Sequence, residues 1–277
     1  VTSAHPPSVT VAIPLHRSAP WIANIIANVR SLPPTVTEII VSDRTMKDHA
    51  ARRLRRRLAD DPRVRIITET RDLHWTEHFQ TLIEEAKGEL FMWMPHDDVF
   101  EATWVPMLVD TLAAHPDAWL AFGRLEPVEV DGVTPRPGWR PRPRRPGPIS
   151  GWSAVRMMSQ GEMGIPFRGL VRRRQVLDAR IRVHEANGSP LADIRWVFDV
   201  SLRAPIVFDD RTSTRKRFHQ DNTFIRWHRG PGDLQQCALD VLAQNGPGGV
   251  RGAAMRTFLR FDERQARRRW TGNPLFK

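Results

Sequence analysis

Short apolar, β-branched runs alternate with amphipathic helical stretches through the first 123 residues, and no other feature of this chain constrains its fold as tightly. Residues 9–14, 38–43, 64–68, 90–94 and 118–123 read as strands, each too short for a buried helix and rich in side chains that suit a pleated surface. Between them, residues 19–32 carry Trp21, Ile22, Ile25, Ile26 and Val29 at helical spacing and stop at Pro33 and Pro34. Residues 46–59, 76–86 and 104–114 also read as helices, and Gly88 is placed to close the third. Such β–α repeats predict a Rossmann-like α/β fold with a mostly parallel sheet flanked by helices. In such sheets ligands bind beyond the carboxyl ends of the strands.

The organisation changes after residue 128. Residues 129–150 are rich in Pro and Arg and predict a flexible or extended loop, since such a run packs no core. Helices are expected near 152–159 and 191–202, a strand at 205–208, and a basic helical tail over 231–277, interrupted at 246–249. Residues 1–8 read as a tail, and the chain shows no internal repeat.

Charge narrows the partners. Lys and Arg number 42 against 31 Asp and Glu, a net charge of +11, which favours anionic ligands. The arginines fall in separate clusters at 52–57, 136–145, 172–174, 215–217 and 264–269, so no single stripe suits a nucleic acid backbone, and no recognised binding motif is present. The run 264–269 with Trp270 beside it fits peripheral contact with an anionic membrane. Cys237 is the only cysteine, which excludes an intramolecular disulfide. The chain shows no signal-like start and no apolar run long enough to span a bilayer. A cytoplasmic setting is expected, with peripheral association at the inner membrane face as its variant.

The chemistry-bearing residues follow the strands. Pro14-Leu15-His16-Arg17 ends the first, Ser42-Asp43-Arg44 the second, and Pro95-His96-Asp97-Asp98 the fourth. In a parallel sheet Asp43 and the Asp97/Asp98 pair share one crevice. Adjacent carboxylates repel unless a cation or hydrogen-bond donors neutralise them. Mg²⁺ and Mn²⁺ take oxygen ligands, and a substrate diphosphate would complete the shell. A plain helix-capping role for either Asp is the competing reading. The usual glycine-rich phosphate cradles are absent.

Here a resemblance enters. S-V-T-V-A-I-P-L-H-R, E-I-I-V-S-D and E-E-A-K-G-E-L-F-M-W-M-P-H-D-D resemble, in order and spacing, the opening strand, second strand and D-x-D element of glycosyltransferase family 2. More weakly, residues 165–174, 191–199 and 215–223 resemble that family's arginine pair, E-D helix start and R-x-H-x-x-N element. The resemblance implies a GT-A fold, a nucleoside-diphosphate sugar donor, a glycan or small-molecule acceptor, and inverting transfer assisted by Mn²⁺ or Mg²⁺. It implies that residues 9–128 bind the donor and 151–230 the acceptor and base. Asp43 would hold the nucleobase, Asp97 the metal with Asp98 as alternative or supporting carboxylate, and Asp193 would be the catalytic base. His219 would lie near the diphosphate, and Pro14, His16 and His96 would line the donor pocket. Pro95 stands where the family has its first Asp, His74 where a glycine is common, and Ala192 where a Glu is common. Asp193 precedes Ile194, Trp196, Val197 and Phe198, so it opens an apolar helix. Two alternatives stay open from the residues alone: a nucleotidyltransferase on a similar core, and a basic nucleic-acid-binding protein.

Overall fold

Every residue of the first strand, β1 (Val9–Leu15), is buried, and its side chains divide by parity between two cores. Val9, Val11, Ile13 and Leu15 enter one, while Ala12 enters the other. A strand with no polar face belongs inside a sheet covered on both sides. In the computed structural model, which describes residues 6–44, 49–68, 73–138, 142–185, 191–220, 230 and 232–270, β1 lies between β2 (Val36–Asp43) and β4 (Leu90–Trp93). The third strand, β3 (Val64–Thr68), borders β2. These four strands are mutually parallel, so Leu15, Asp43, Thr68 and Trp93 end on the same edge.

Helices α1 (Ile22–Ser31), α2 (Ala50–Arg57) and α4 (Trp104–Ala114) cover one face of the sheet. The other face carries α3 (Trp75–Glu85), α5 (Trp152–Ser159), α7 (Ala192–Arg203), α8 (Asp233–Asn245) and α9 (Gly249–Trp270). A short helix, α6 (Arg173–Asp178), lies between α5 and α7 in the chain. Gly88 does more than end α3: a Cβ there would lie 2.6 Å from the Thr10 backbone nitrogen, so the turn into β4 needs glycine to pack on β1. No described helix is long and apolar enough to cross a membrane.

The second half of the sheet was only partly foreseen. Strand β8 (Leu170–Arg172) is inserted antiparallel between β4 and β6 (Leu120–Val128), which leaves β6 pointing the same way as β4. Strand β9 (Ile206–Arg217) runs parallel to β6, and two short strands, β5 (Val99–Phe100) and β7 (Gly147–Ile149), pair antiparallel with β9. The sheet remains mostly parallel in strand direction.

The expected strand at 205–208 runs nine residues further, through Thr212, Ser213 and Thr214, all at most 1 % exposed. These polar residues escaped hydrophobic pattern reading because hydrogen bonds satisfy them in the interior. Ser213 donates its backbone N–H to Glu101 at 2.8 Å, and Thr214 Oγ1 donates to the Val99 carbonyl at 3.1 Å. The Pro/Arg-rich stretch is tied down where it is described. Arg144 pairs with buried Glu162 at 2.6 Å and lies over the Phe122 and Phe208 rings, and β7 adds a strand to the sheet.

Candidate active site

The carboxyl edge of β1, β2 and β4 builds the site. Asp43 is the last residue of β2, in register with Leu15 and Thr68, and is 1 % exposed. Pro14 sits in β1 beside Ser42, and its carbonyl accepts a hydrogen bond from His96 Nδ1 at 3.2 Å. His16 follows the strand, is exposed, and turns on a bond from its backbone N–H to Ser18 Oγ at 2.9 Å.

The turn after β4 is fastened from three directions. Asn24 of α1 donates to the carbonyls of His96 and Asp98 at 2.9 and 2.8 Å, and Asn28 donates to the Asp98 carbonyl at 2.9 Å. From the far end of β9, Arg217 donates to the Asp97 carbonyl at 2.7 Å and to Asn24 at 2.8 Å, with its guanidinium over the Trp21 ring. A loop carrying two adjacent carboxylates is thereby held without using their oxygens.

Those oxygens have different partners. His219 Nε2 donates to Asp97 Oδ2 at 3.0 Å, and its ring packs on Trp21. Burial works against ionisation of Asp97. The His219 hydrogen bond and the electrostatic pull of His96, His219 and Arg168 outweigh it and hold the carboxyl well below the usual range. Asp98, 1 % exposed, accepts from Arg168 Nε at 2.6 Å. Burial pushes the Asp98 carboxyl up, with Asp97 adding repulsion and Arg168 pulling the other way. Asp98, expected as an alternative metal ligand or supporting carboxylate, has its carboxylate engaged by a buried guanidinium.

No cluster of three or more His, Cys, Asp or Glu arranged for a metal occurs among the described residues. Asp97 Oδ2 and His219 Nε2 lie 3.0 Å apart and would offer one oxygen and, with the proton between them lost, one nitrogen. Such a pair suits Mn²⁺ or Mg²⁺ only where a substrate's phosphate oxygens and water fill the remaining positions, the usual habit of these ions.

Comparison with known proteins decides the family. Residues 10–170 match the model of glycosyl transferase family 2, well over half of the chain. The chain belongs to that family. A curated relative, the uncharacterized protein y4gI of Sinorhizobium fredii, is 28 % identical over 130 residues, which are 46 % of this chain and 14 % of that protein. The chain thus spans about a seventh of that relative's length. Among solved structures, S. aureus TarS 1–349 in complex with UDP-GlcNAc superposes with a TM-score of 0.74 at 11 % identity, covering 93 % of this chain and 73 % of that one. The mannosyltransferase PcManGT of Pyrobaculum calidifontis, in complex with GDP-Man and Mn²⁺, gives 0.63 at 13 %, covering 96 % and 73 %. At these identities the likeness establishes the fold, which is GT-A.

In this family 2 chain, Asp193 lies in the first turn of α7 rather than at its cap position, which Leu191 fills. It is half-buried, accepts the Ile194 N–H at 2.8 Å, and packs against Gly164, where an added Cβ would sit 3.4 Å from Oδ2. Two cations join it electrostatically to the Asp97/Asp98 turn: Arg168, and Lys216 on β9. Burial, reinforced by Arg168, lowers Lys216 to about 8 against the pull of Asp98, Asp193 and Asp97.

The sequence reading reached the segments that hold them, 165–174 and 215–223, through the family resemblance and named neither cation. Lys216 lies beyond the point where the hydrophobic pattern ends its strand, and Arg168 resembles any other member of an arginine-rich chain. His74, in the family's glycine position, caps α3: its backbone N–H bonds Glu77 at 3.0 Å and its Nδ1 lies 2.9 Å from Thr76 Oγ1. The segment 221–229, which holds the end of the element expected at 215–223, lies outside the described residues, as does the expected start of α2 at 46–48.

Proposed function

We propose that this enzyme transfers a sugar from a nucleoside-diphosphate sugar to an acceptor hydroxyl or amine with inversion at the anomeric carbon, assisted by Mn²⁺ or Mg²⁺. The observation that carries the reading is the fastened Asp97 carboxylate, kept charged by His219 in the turn after β4, on the sheet edge where buried Asp43 ends β2. The ligands of TarS and PcManGT agree with a nucleotide-sugar donor. Residues 9–128 would bind the donor, with Asp43 on the nucleobase and Pro14, His16 and His96 around it. Residues 151–230 would receive the acceptor.

Asp97 and His219 would hold the metal, which when bound neutralises charge growing on the leaving diphosphate. The chain's own residues do the rest. Asp193 takes the proton of the acceptor as its oxygen or nitrogen bonds to the anomeric carbon, and the bond from that carbon to the diphosphate oxygen breaks. The electron pair leaves with the diphosphate, towards Lys216 and Arg168. No feature of the structure favours the nucleotidyltransferase or nucleic-acid alternatives.

A thermal-shift panel of sugar nucleotides with and without Mn²⁺ tests this reading. A ligand that binds only the folded state stabilises it by about 2.7 kcal/mol at a hundredfold excess over its dissociation constant. Stabilisation by at least one sugar nucleotide, reduced on chelation, is expected. A panel in which none shifts the transition in the presence of Mn²⁺ contradicts it. Asp43→Ala should weaken nucleoside diphosphate binding by about 1.5–3 kcal/mol, the worth of a hydrogen bond to a charged group. Calorimetry showing unchanged affinity would remove Asp43 from the donor site.

A further inference from the structure

The described residues expose six large apolar side chains, and four of them form one patch. Val250 (88 % exposed), Phe258 (37 %) and Phe261 (61 %) lie on α9, and Trp152 (46 %) of α5 meets Phe258 edge-on with ring centres 5.9 Å apart. On α9 the exposed Val250, Ala254, Phe258 and Phe261 recur at helical spacing along one stripe, while Met255 and Leu259 on the opposite side are fully buried. The helix therefore has two apolar faces, and the protein's own core uses only one.

The margins of the stripe are basic. Arg251, which lies across Gly151 at the start of α5, and Arg260 and Arg264 are exposed. Over its length α9 carries seven arginines against Asp262 and Glu263, and Glu263 is already paired with Arg267 at 2.8 Å. A convex aromatic stripe edged with arginines is the chemistry of a surface helix that sinks its apolar side chains to the acyl boundary and sets its cations among phosphates. A second copy of this chain fits less well, because a twofold contact would bring two arginine margins together in a protein of charge +11.

We propose that the Trp152–Phe258–Phe261 face docks on an anionic lipid bilayer. This goes beyond the transfer reaction and does not depend on it. It also moves the membrane contact expected at 264–269 and Trp270 onto the outward face of α5 and α9.

Co-sedimentation of the full chain with phosphatidylcholine vesicles, with and without phosphatidylglycerol, tests the proposal. Binding is expected to the phosphatidylglycerol vesicles, falling with added salt, and to be weak on neutral ones. Two double variants separate the contributions. F258S/F261S removes two exposed rings and should weaken partitioning about tenfold or more. R260E/R264E should do the same, since each arginine near an anionic surface is worth about fivefold. Both sets of side chains are exposed, so the melting temperature should not change. Absence of binding to phosphatidylglycerol vesicles overturns the proposal, and so does binding that survives either variant. A concentration-dependent dimer or capture of an acidic protein, lost in F258S/F261S and without vesicle binding, assigns the face to another protein and equally overturns it.

Discussion

Asp193→Asn is expected to leave donor binding intact and to slow sugar transfer by about a hundred- to ten-thousandfold, the usual loss when a general base is removed. The amide keeps the shape of the carboxyl, so it still accepts the Ile194 N–H and still fits against Gly164. It cannot take a proton from the acceptor at neutral pH. The donor is assigned to Asp43 and Asp97 on the strand edge, so the Mn²⁺-dependent thermal shift with sugar nucleotide should match that of the unaltered protein. A transfer assay beside that shift separates chemistry from binding. Transfer at close to the normal rate would take the base role from Asp193. Asp199, the next carboxylate on α7, does not inherit it readily. It accepts from Asn245 of α8 at 3.0 Å, pairs with Arg203, and is pushed up by burial.

Arg168→Met should cost about 3–5 kcal/mol of folding stability, the range for breaking a buried ion pair from one side. Arg168 meets Asp98 where that carboxylate is 1 % exposed, and removing the guanidinium leaves a negative charge beside Asp97 in the interior. Asp98 is already raised by burial, and without Arg168 it rises further above its value in the unfolded chain. A raised folded-state value stabilises at low pH, and that stability is lost as pH climbs through it. The deficit of the variant should therefore be largest at neutral pH and shrink on mild acidification. Urea unfolding at the two conditions measures this. An unchanged midpoint at neutral pH would show that Asp98 is held by other contacts. Because Asn24, Asn28 and Arg217 also bind this turn, loss of the Arg168–Asp98 pair should loosen Asp97 before it unfolds the domain.

The parts legible in the sequence were those set by local pattern. β1, β2 and β4 were readable because strands buried on both faces carry apolar runs, and half-buried β3, at the sheet edge, by its β-branched residues; their parallel order followed from the helices between them. That order alone placed Asp43 and Asp97 on one edge. The later strands were not readable in the same way. β8 and β7 are three residues each, too short for a period, and the outer half of β9 buries Thr and Ser through hydrogen bonds.

What the chain determined by itself was its first half: an alternating α/β core with acidic residues at strand ends and an overall basic charge. Tertiary structure alone decided which partner each of two adjacent, chemically identical aspartates meets. Asp97 meets His219 from 122 residues away and Asp98 meets Arg168 from 70. A carboxylate's protonation and ligand capacity depend on the charges and burial around it, and distant strands supply both.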